Sequence, residues 1–257
     1  MELGKKVIRL PTCSSTNDVL RELAEWGEEE GVAVLAEEQV AGRGTKGRTW
    51  FSPPGMGLYL SVLLRPAQES SLFPLLAGVA VVEAISEEYS LPLLIRWPND
   101  LIWEEKKLGG ILSESSFAGQ RLSYVILGIG LNLNQAREDF PSFLQNTAVS
   151  LKMILHREFS PEYLASKIFP ALNRWYNLLK VQGEEPILKT VERLSLFQPG
   201  ETIIIETAKE KIAGKFLGLD RYGRLVVKTK GATKAFSSGE IRNPLRYRSG
   251  KGKGGFA

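Results

Sequence analysis

The chain is poor in the residues that carry most covalent and metal chemistry. It holds one cysteine, Cys13, and one histidine, His156, in 257 residues. A lone cysteine excludes an internal disulfide and fits a reducing compartment. A lone histidine argues against multi-histidine zinc sites and leaves no second histidine for a Ser-His-Asp triad. There is no 18-residue apolar run to cross a membrane, and the opening MELGKKVIRL lacks the apolar stretch of a signal peptide. These absences predict a soluble, cytoplasmic protein with no membrane partner. Acidic residues are missing from 242–257, which carry Arg242, Arg246, Arg248, Lys251 and Lys253. Removing those five charges from the net +4 leaves residues 1–241 at −1. The basic character therefore belongs to a Gly-rich terminus, expected to be a solvated, flexible tail over 248–257 rather than a nucleic-acid arm.

What is present is ordinary for a globular chain: 43% hydrophobic, 24% charged and 9% aromatic residues, which excludes disorder or a fibrous repeat. The length allows one main core and one small module. A first helix is marked by capping-box spacing of Ser15 and Asp18, followed by Val19, Leu20, Leu23 and Trp26 on one face. VAVLAEE (32–38), LYLSVLL (58–64), LPLLIRW (91–97) and SYVILGIGLNLN (123–134) read as strands, and LIW and GGILSES flank EEKK as a hairpin. Helices are predicted over 72–89 and 161–181, the second kinked or interrupted at Pro170. From Pro199 the texture changes to short strands about ten residues apart, TIIIET, KIAGKFLGLD, RLVVKT and KAF, which predicts a small all-β module beginning near 197.

The stretch Gly42-Arg43-Gly44-Thr45-Lys46-Gly47-Arg48-Thr49 matches two nucleotide motifs badly. A dinucleotide fingerprint or a Walker A loop must open a helix, whereas TWFSPPG with its adjacent prolines follows here. What survives is a flexible backbone with three cations, Arg43, Lys46 and Arg48, suited to a phosphate or carboxylate. Read alone, Trp97-Pro98-Asn99-Asp100 is a strand end and turn, Lys106 and Lys107 are solvated hairpin charges, and Gly109-Gly110 is a bulge. Gly128 and Gly130 within an apolar strand indicate either a bulge or a close approach of a ligand. Cys13 reads as a small buried or semi-exposed residue rather than a nucleophile, and His156 as surface polar.

Taken in order, Ser15-Thr16-Asn17, Gln39 before AGRGTKGRTW, RWPNDL (96–101), KLGGIL (107–112) and GIGLNLN (128–134) resemble the catalytic domain of biotin protein ligases, over roughly residues 8–245. The resemblance implies an α+β fold, a mixed sheet with flanking helices of class II synthetase type, plus a small C-terminal SH3-like β-barrel. It divides the chain into a biotin/ATP-binding catalytic domain (1–197), a small β domain (198–247) and the tail (248–257). It implies activation of biotin by Mg-ATP to biotinyl-5′-AMP with release of pyrophosphate, then transfer to a lysine of a biotin carboxyl carrier protein. On this resemblance Ser15, Thr16, Asn17, Gln39, Arg43, Gly44, Thr45, Lys107 and Gly110 bind biotin. Arg43, Arg48, Trp50, Asn99, Lys107 and Asn132 bind ATP or the adenylate, and Lys107, Arg48 and Asp100 are the catalytic set. Mg²⁺ is expected to arrive with ATP, with no protein side chains assigned to it. A homodimer is expected. Family members with an added DNA-binding domain carry a helix-turn-helix region of roughly 50 residues; only 13 residues precede Ser14, so no DNA partner is expected. The loop departs from the family's GRGRRGR at Thr45, which removes an arginine that helps retain the intermediate. Lys46 nearby is a point charge without the guanidinium fork.

The chemistry agrees with this assignment. Biotin's own carboxylate is the nucleophile of the first step, so no activated serine or cysteine is required. The difficulty is an anion approaching a polyanion, and fixed cations are the remedy. Asp100 is a candidate orienter or base for the lysine amine of the second step. The alternatives are a lipoate–protein ligase and a non-catalytic biotin-binding or regulatory protein.

Overall fold

A computed structural model of the chain describes residues 2–242. The expected tail, and the last residues of the expected C-terminal domain, lie outside the described residues. In chain order the elements are β1 (Lys6–Cys13), α1 (Thr16–Glu25), β2 (Val32–Gln39), β3 (Gly57–Leu64), α2 (Phe73–Tyr89), β4 (Leu94–Arg96), β5 (Asp100–Trp103), β6 (Lys106–Ala118), β7 (Arg121–Asn132), α3 (Leu151–Leu155), α4 (Pro161–Gln182), α5 (Glu185–Arg193), β8 (Thr202–Glu206), β9 (Lys211–Leu219), β10 (Leu225–Lys228), β11 (Thr233–Phe236) and β12 (Glu240–Arg242).

The first seven strands form one mixed sheet in the order β1-β2-β3-β7-β6-β5-β4. β1 and β2 are parallel and the other neighbours antiparallel. All eight residues of β3 are buried, as its apolar run demands. Leu58, Leu60, Val62 and Leu64 pack with α2 and α4 in the main core. Leu63 points the other way and joins Leu20, Ala24, Val32, Val34 and Ile126 under α1. Strand alternation then puts Tyr59 and Ser61 on the α1 side as well, beyond the reach of the helix's apolar face. Their cross-strand partners on β7 are Gly130 and Gly128, and the next strand places Gly110 and Leu112 beside those glycines. This uncovered part of the sheet is the floor of the cleft described below.

The last five strands form an antiparallel sheet, β11-β10-β9-β8-β12, which is the expected small β unit. Its buried Ile203, Ile205, Phe216, Leu225, Val227 and Ile241 are continuous with the main core through Trp97, Val191, Leu196 and Phe197. Trp97 Nε1 donates to the Gly223 carbonyl at 2.8 Å, tying the β9–β10 turn to the main sheet.

Several local expectations change. Strand 91–97 contracts to β4, because Pro92 has no N–H to pair; within β4, Ile95 faces β5 on one edge and bonds the chain at Leu194 and Leu196 on the other. α4 runs unbroken through Pro170: a proline removes one donor, and the buried stripe Leu164, Ile168, Ala171, Leu172, Trp175 holds the helix in place. The expected capping box does not form: the Ser15 side chain makes no capping bond, the Asp18 N–H bonds Ser15 O, and the Asp18 carboxylate turns toward arginines. β1 is an added strand; its half-exposed edge position and Pro11 hide the alternation. The EEKK hairpin forms as read, turning at Glu104 and Glu105 with Glu104 at φ 54°. A register shift beside Gly109 supplies the bulge.

Candidate active-site cleft

A cavity of about 600 Å³ opens on the floor of the main sheet, roofed by the 42–50 loop and closed at one side by the C-terminal unit. Ser15, Thr16, Asn17, Gln39, Arg43, Gly44, Thr45, Arg48, Trp50, Asn99, Asp100, Lys107, Gly110 and Asn132 all line it. The second cavity is near 10 Å³. Segments distant in sequence thus converge on one space large enough for a ligand of drug size.

One end of the cleft is lined by uncharged polar side chains, most of them hydrogen-bonded to one another. Ser15, Thr16 and Asn17, at the start of α1, are buried, as is Ser61 of β3. Thr16 N–H donates to Gln39 Oε1 at 2.9 Å, Thr16 Oγ1 lies 2.6 Å from Ser61 Oγ, and Ser61 Oγ donates to Asn17 Oδ1 at 2.5 Å. Gln39 Nε2 donates to Ser52 Oγ at 3.0 Å. Each donor fixes its neighbour's orientation, so the wall presents a preset pattern of donors and acceptors. Gly128 makes room for it: a Cβ there would come within 2.5 Å of Asn17 Oδ1. Gly130 does the same for the Trp50 ring, at 2.6 Å. The two strand glycines therefore serve close approach, by side chains of this protein.

The other end is charged. Lys107 Nζ lies 2.7 Å from Asp100 Oδ1, and Arg96 donates to Asp100 Oδ2 at 2.7 and 3.1 Å. Burial pushes the Asp100 carboxyl up, but Lys107 and Arg96 outweigh it and hold its pKa below the ordinary value. Asp100 is therefore a stable anion that aims two cations. The Trp50 ring packs against Lys107, with Nζ 5.3 Å from the ring centroid, and Trp50 Nε1 is buried with no hydrogen-bond partner. The backbone of Lys107 is pinned by Thr147 O and Val149 N at 2.8 and 3.0 Å. Asn132 Nδ2 donates to Val149 O and Asn99 Nδ2 to Ile111 O, so both amides brace the backbone that frames the cleft.

The 42–50 loop is a small hairpin: Gly44 N–H reaches Arg48 O, Trp50 N–H reaches Gly42 O, and Lys46 and Gly47 make the turn at φ 61° and 72°. Arg48 pairs with Glu240 of β12 at 2.7 Å, so the C-terminal unit supplies part of the wall. The sequence reading missed Ser61, Arg96, Glu240 and the carboxylates Asp18 and Glu114. Ser61, polar inside LYLSVLL, was the one available signal; Glu240 sits in SSGEIR with nothing to mark it. Cys13 is half-buried and His156 exposed, both outside the cleft. Among the described residues no group of three or more His, Cys, Asp or Glu side chains is positioned for a metal, and no helix is long and apolar enough to cross a membrane.

The fold and cleft define a mixed-sheet α+β protein that can hold an uncharged polar group and an anion side by side. The sequence model of the biotin/lipoate A/B protein ligase family matches residues 10–132, and that of the biotin protein ligase C terminal domain matches residues 200–242. The bifunctional ligase/repressor BirA of Bacillus subtilis (strain 168) is 34% identical over 242 residues, spanning 93% of this chain and 74% of that protein. Biotin–[acetyl-CoA-carboxylase] ligase of Paracoccus denitrificans is 32% identical over 218 residues, spanning 81% and 88%. The solved biotin protein ligase from Aquifex aeolicus in complex with biotin and ATP matches with a TM-score of 0.80 and 32% identity, over 93% of this chain and 98% of that one. The chain belongs to the biotin/lipoate A/B protein ligase family.

Proposed function

We propose that this chain is a biotin–[acetyl-CoA-carboxylase] ligase. It joins biotin to ATP as biotinyl-5′-AMP, releases pyrophosphate, and passes the biotinyl group to a lysine of a biotin carboxyl carrier protein. The observation that carries the reading is the junction, in one cleft, of an uncharged hydrogen-bonded wall and Lys107 fixed on a partly buried carboxylate. The wall of Ser15, Thr16, Asn17 and Gln39 suits the uncharged ureido group of biotin, whose carboxylate then points along the floor past Gly110 toward Lys107.

In the first step the biotin carboxylate oxygen bonds to the α-phosphorus and the bond to the β-phosphate bridging oxygen breaks. Charge builds on the α-phosphate oxygens, and a pre-aimed cation there is worth about 3 kcal/mol or more. Lys107 fills that role because its pairing with Asp100 holds it still; Arg48 fills it from the loop once it exchanges Glu240 for phosphate. Trp50, with its unpaired Nε1, closes the nucleotide side together with Asn99 and Asn132, while Arg43, Gly44 and Thr45 cover the biotin side. In the second step the carrier's neutral amine attacks the carbonyl and AMP leaves. Asp100, bracketed by two cations, acts as an orienter in this scheme rather than as a base.

Mg²⁺ belongs here with the nucleotide. Both Asp100 oxygens face cations and Glu240 is paired, so these carboxylates do not make a protein-held metal site, and the ion's contribution is to neutralise triphosphate charge. The domain division at residue 197, a cytoplasmic location, a homodimer, and docking of the carrier along an exposed sheet edge go with the same reading. Lipoate is the competing acid; the C-terminal match to a biotin protein ligase domain favours biotin. The test is a transfer assay with ATP, Mg²⁺ and a carrier domain. Addition of one biotinyl mass to the carrier, with lipoate inert, supports the proposal. Lipoyl transfer, or no acylation by folded protein, overturns it.

A further inference from the structure

Two carboxylates without a part in that scheme, Asp18 and Glu114, meet beside Asn17, next to the uncharged wall of the cleft. Asp18 sits in the first turn of α1 and grips Arg43 of the loop with both oxygens: Oδ2 accepts from Nη1 at 2.6 Å and Oδ1 from Nη2 at 2.7 Å. Glu114, from β6, lies 3.6 Å from the same guanidinium. Arg21, one turn along α1, bridges the two acids at 2.9 and 3.2 Å. Glu114 also accepts from Asn17 Nδ2 at 2.7 Å, which leaves Asn17 Oδ1 turned to Ser61. One cluster therefore joins the loop, the helix start and the wall. The Arg21–Asp18 contact, a single i,i+3 bond along one helix, does little. The Asp18–Arg43 pair differs: it is bidentate, partly buried, and links elements 25 residues apart. Its hydrogen bonds hold the Asp18 carboxyl below its usual pKa despite partial burial, so the grip persists through neutral pH.

We propose that Asp18 and Glu114 form a clasp that seats Arg43, and with it the 42–50 loop, over the uncharged wall of the cleft, and so retains the acyl-adenylate. Both are positioning residues, acting through Arg43 and Asn17. The inference rests on the ligase reading for its ligand but not for its geometry.

The test uses the full chain and the isosteric Asp18→Asn, with Asp18→Glu as the conservative control and thermal unfolding of each to confirm folding. Amide hydrogen exchange over residues 42–50 is measured without ligand, and dissociation of biotinyl-5′-AMP by a chase with unlabelled biotin and ATP. The clasp predicts at least fivefold faster loop exchange and at least fivefold faster adenylate loss in D18N. The biotin KM rises more than kcat falls, and D18E recovers part of each effect. Unchanged loop exchange overturns the clasp; faster exchange with unchanged adenylate loss overturns its role in retention. If the wild type forms no adenylate, the ligase reading fails, and the exchange arm still decides the geometry.

Discussion

The two ends of the cleft are built on opposite physics. At the uncharged wall Thr16, Asn17, Gln39 and Ser61 discriminate by geometry, each side chain oriented by the next, and strand glycines let them sit against the floor. At the charged end a single partly buried anion, Asp100, aims Lys107 and Arg96. The difference teaches where specificity and rate should reside. A hydrogen-bonded wall recognises ground state and transition state alike, whereas a cation aimed at developing charge acts mainly on the transition state. Substitutions at the two ends should therefore separate in KM and kcat.

The largest expected effect short of Lys107 itself is at the floor between the ends. Gly130→Ala puts a methyl 2.6 Å from the Trp50 ring. Displacing Trp50 by even an ångström should lower adenylation about a hundredfold, read as biotin-dependent pyrophosphate formation. An active Gly130→Ala would mean that the Trp50 position is not needed.

Next is Asp100→Asn, which removes the negative charge facing Lys107 and Arg96 and should cost about 3 kcal/mol of stability in urea unfolding. Its pH dependence follows from the depressed carboxyl. The ionised form stabilises the fold above the unfolded-state pKa of about 3.9, and that contribution is lost as pH falls below it through the lower folded value. The gap between wild type and D100N should stay level from pH 8 to about 4 and narrow below; a gap already closing at pH 6 would contradict the assignment of Asp100 as a permanent anion.

A smaller effect is expected at the uncharged wall. Ser61→Ala leaves Asn17 Oδ1 without its donor, costing about 1–2 kcal/mol. The biotin KM should rise about tenfold with kcat nearly kept; a fall in kcat alone would erase the distinction between the ends. The smallest belongs to the partly exposed Arg48–Glu240 pair. Glu240→Gln should shift stability by less than about 1 kcal/mol, checked by thermal unfolding, because this contact serves mainly to station Arg48.

The legible part of the molecule follows the same division. Helices and central strands were readable because apolar period and burial coincide, as in β3 and α4. The cleft residues were readable as short motifs, RWPND, KLGG and GIGLN, each bland alone and informative in order. β1 was not readable, since an edge strand with Pro11 and charges lacks a buried face. Glu114 and Glu240 were not readable either, because their roles arise from pairing across the sheet and between the two units. Local pattern carries no record of such long-range partners. Gly128 and Gly130 were half readable: the need for close approach was visible, the approaching groups, Asn17 and Trp50, were not.

The most direct test of the central claim is pyrophosphate release from ATP and Mg²⁺, with and without biotin, by the wild type and Lys107→Ala. The account predicts biotin-dependent release by the wild type and a loss of at least a hundredfold in the variant, with its fold intact by circular dichroism. Equal release by both proteins would contradict the role given to Lys107, and no biotin-dependent release by folded wild type would contradict the ligase itself.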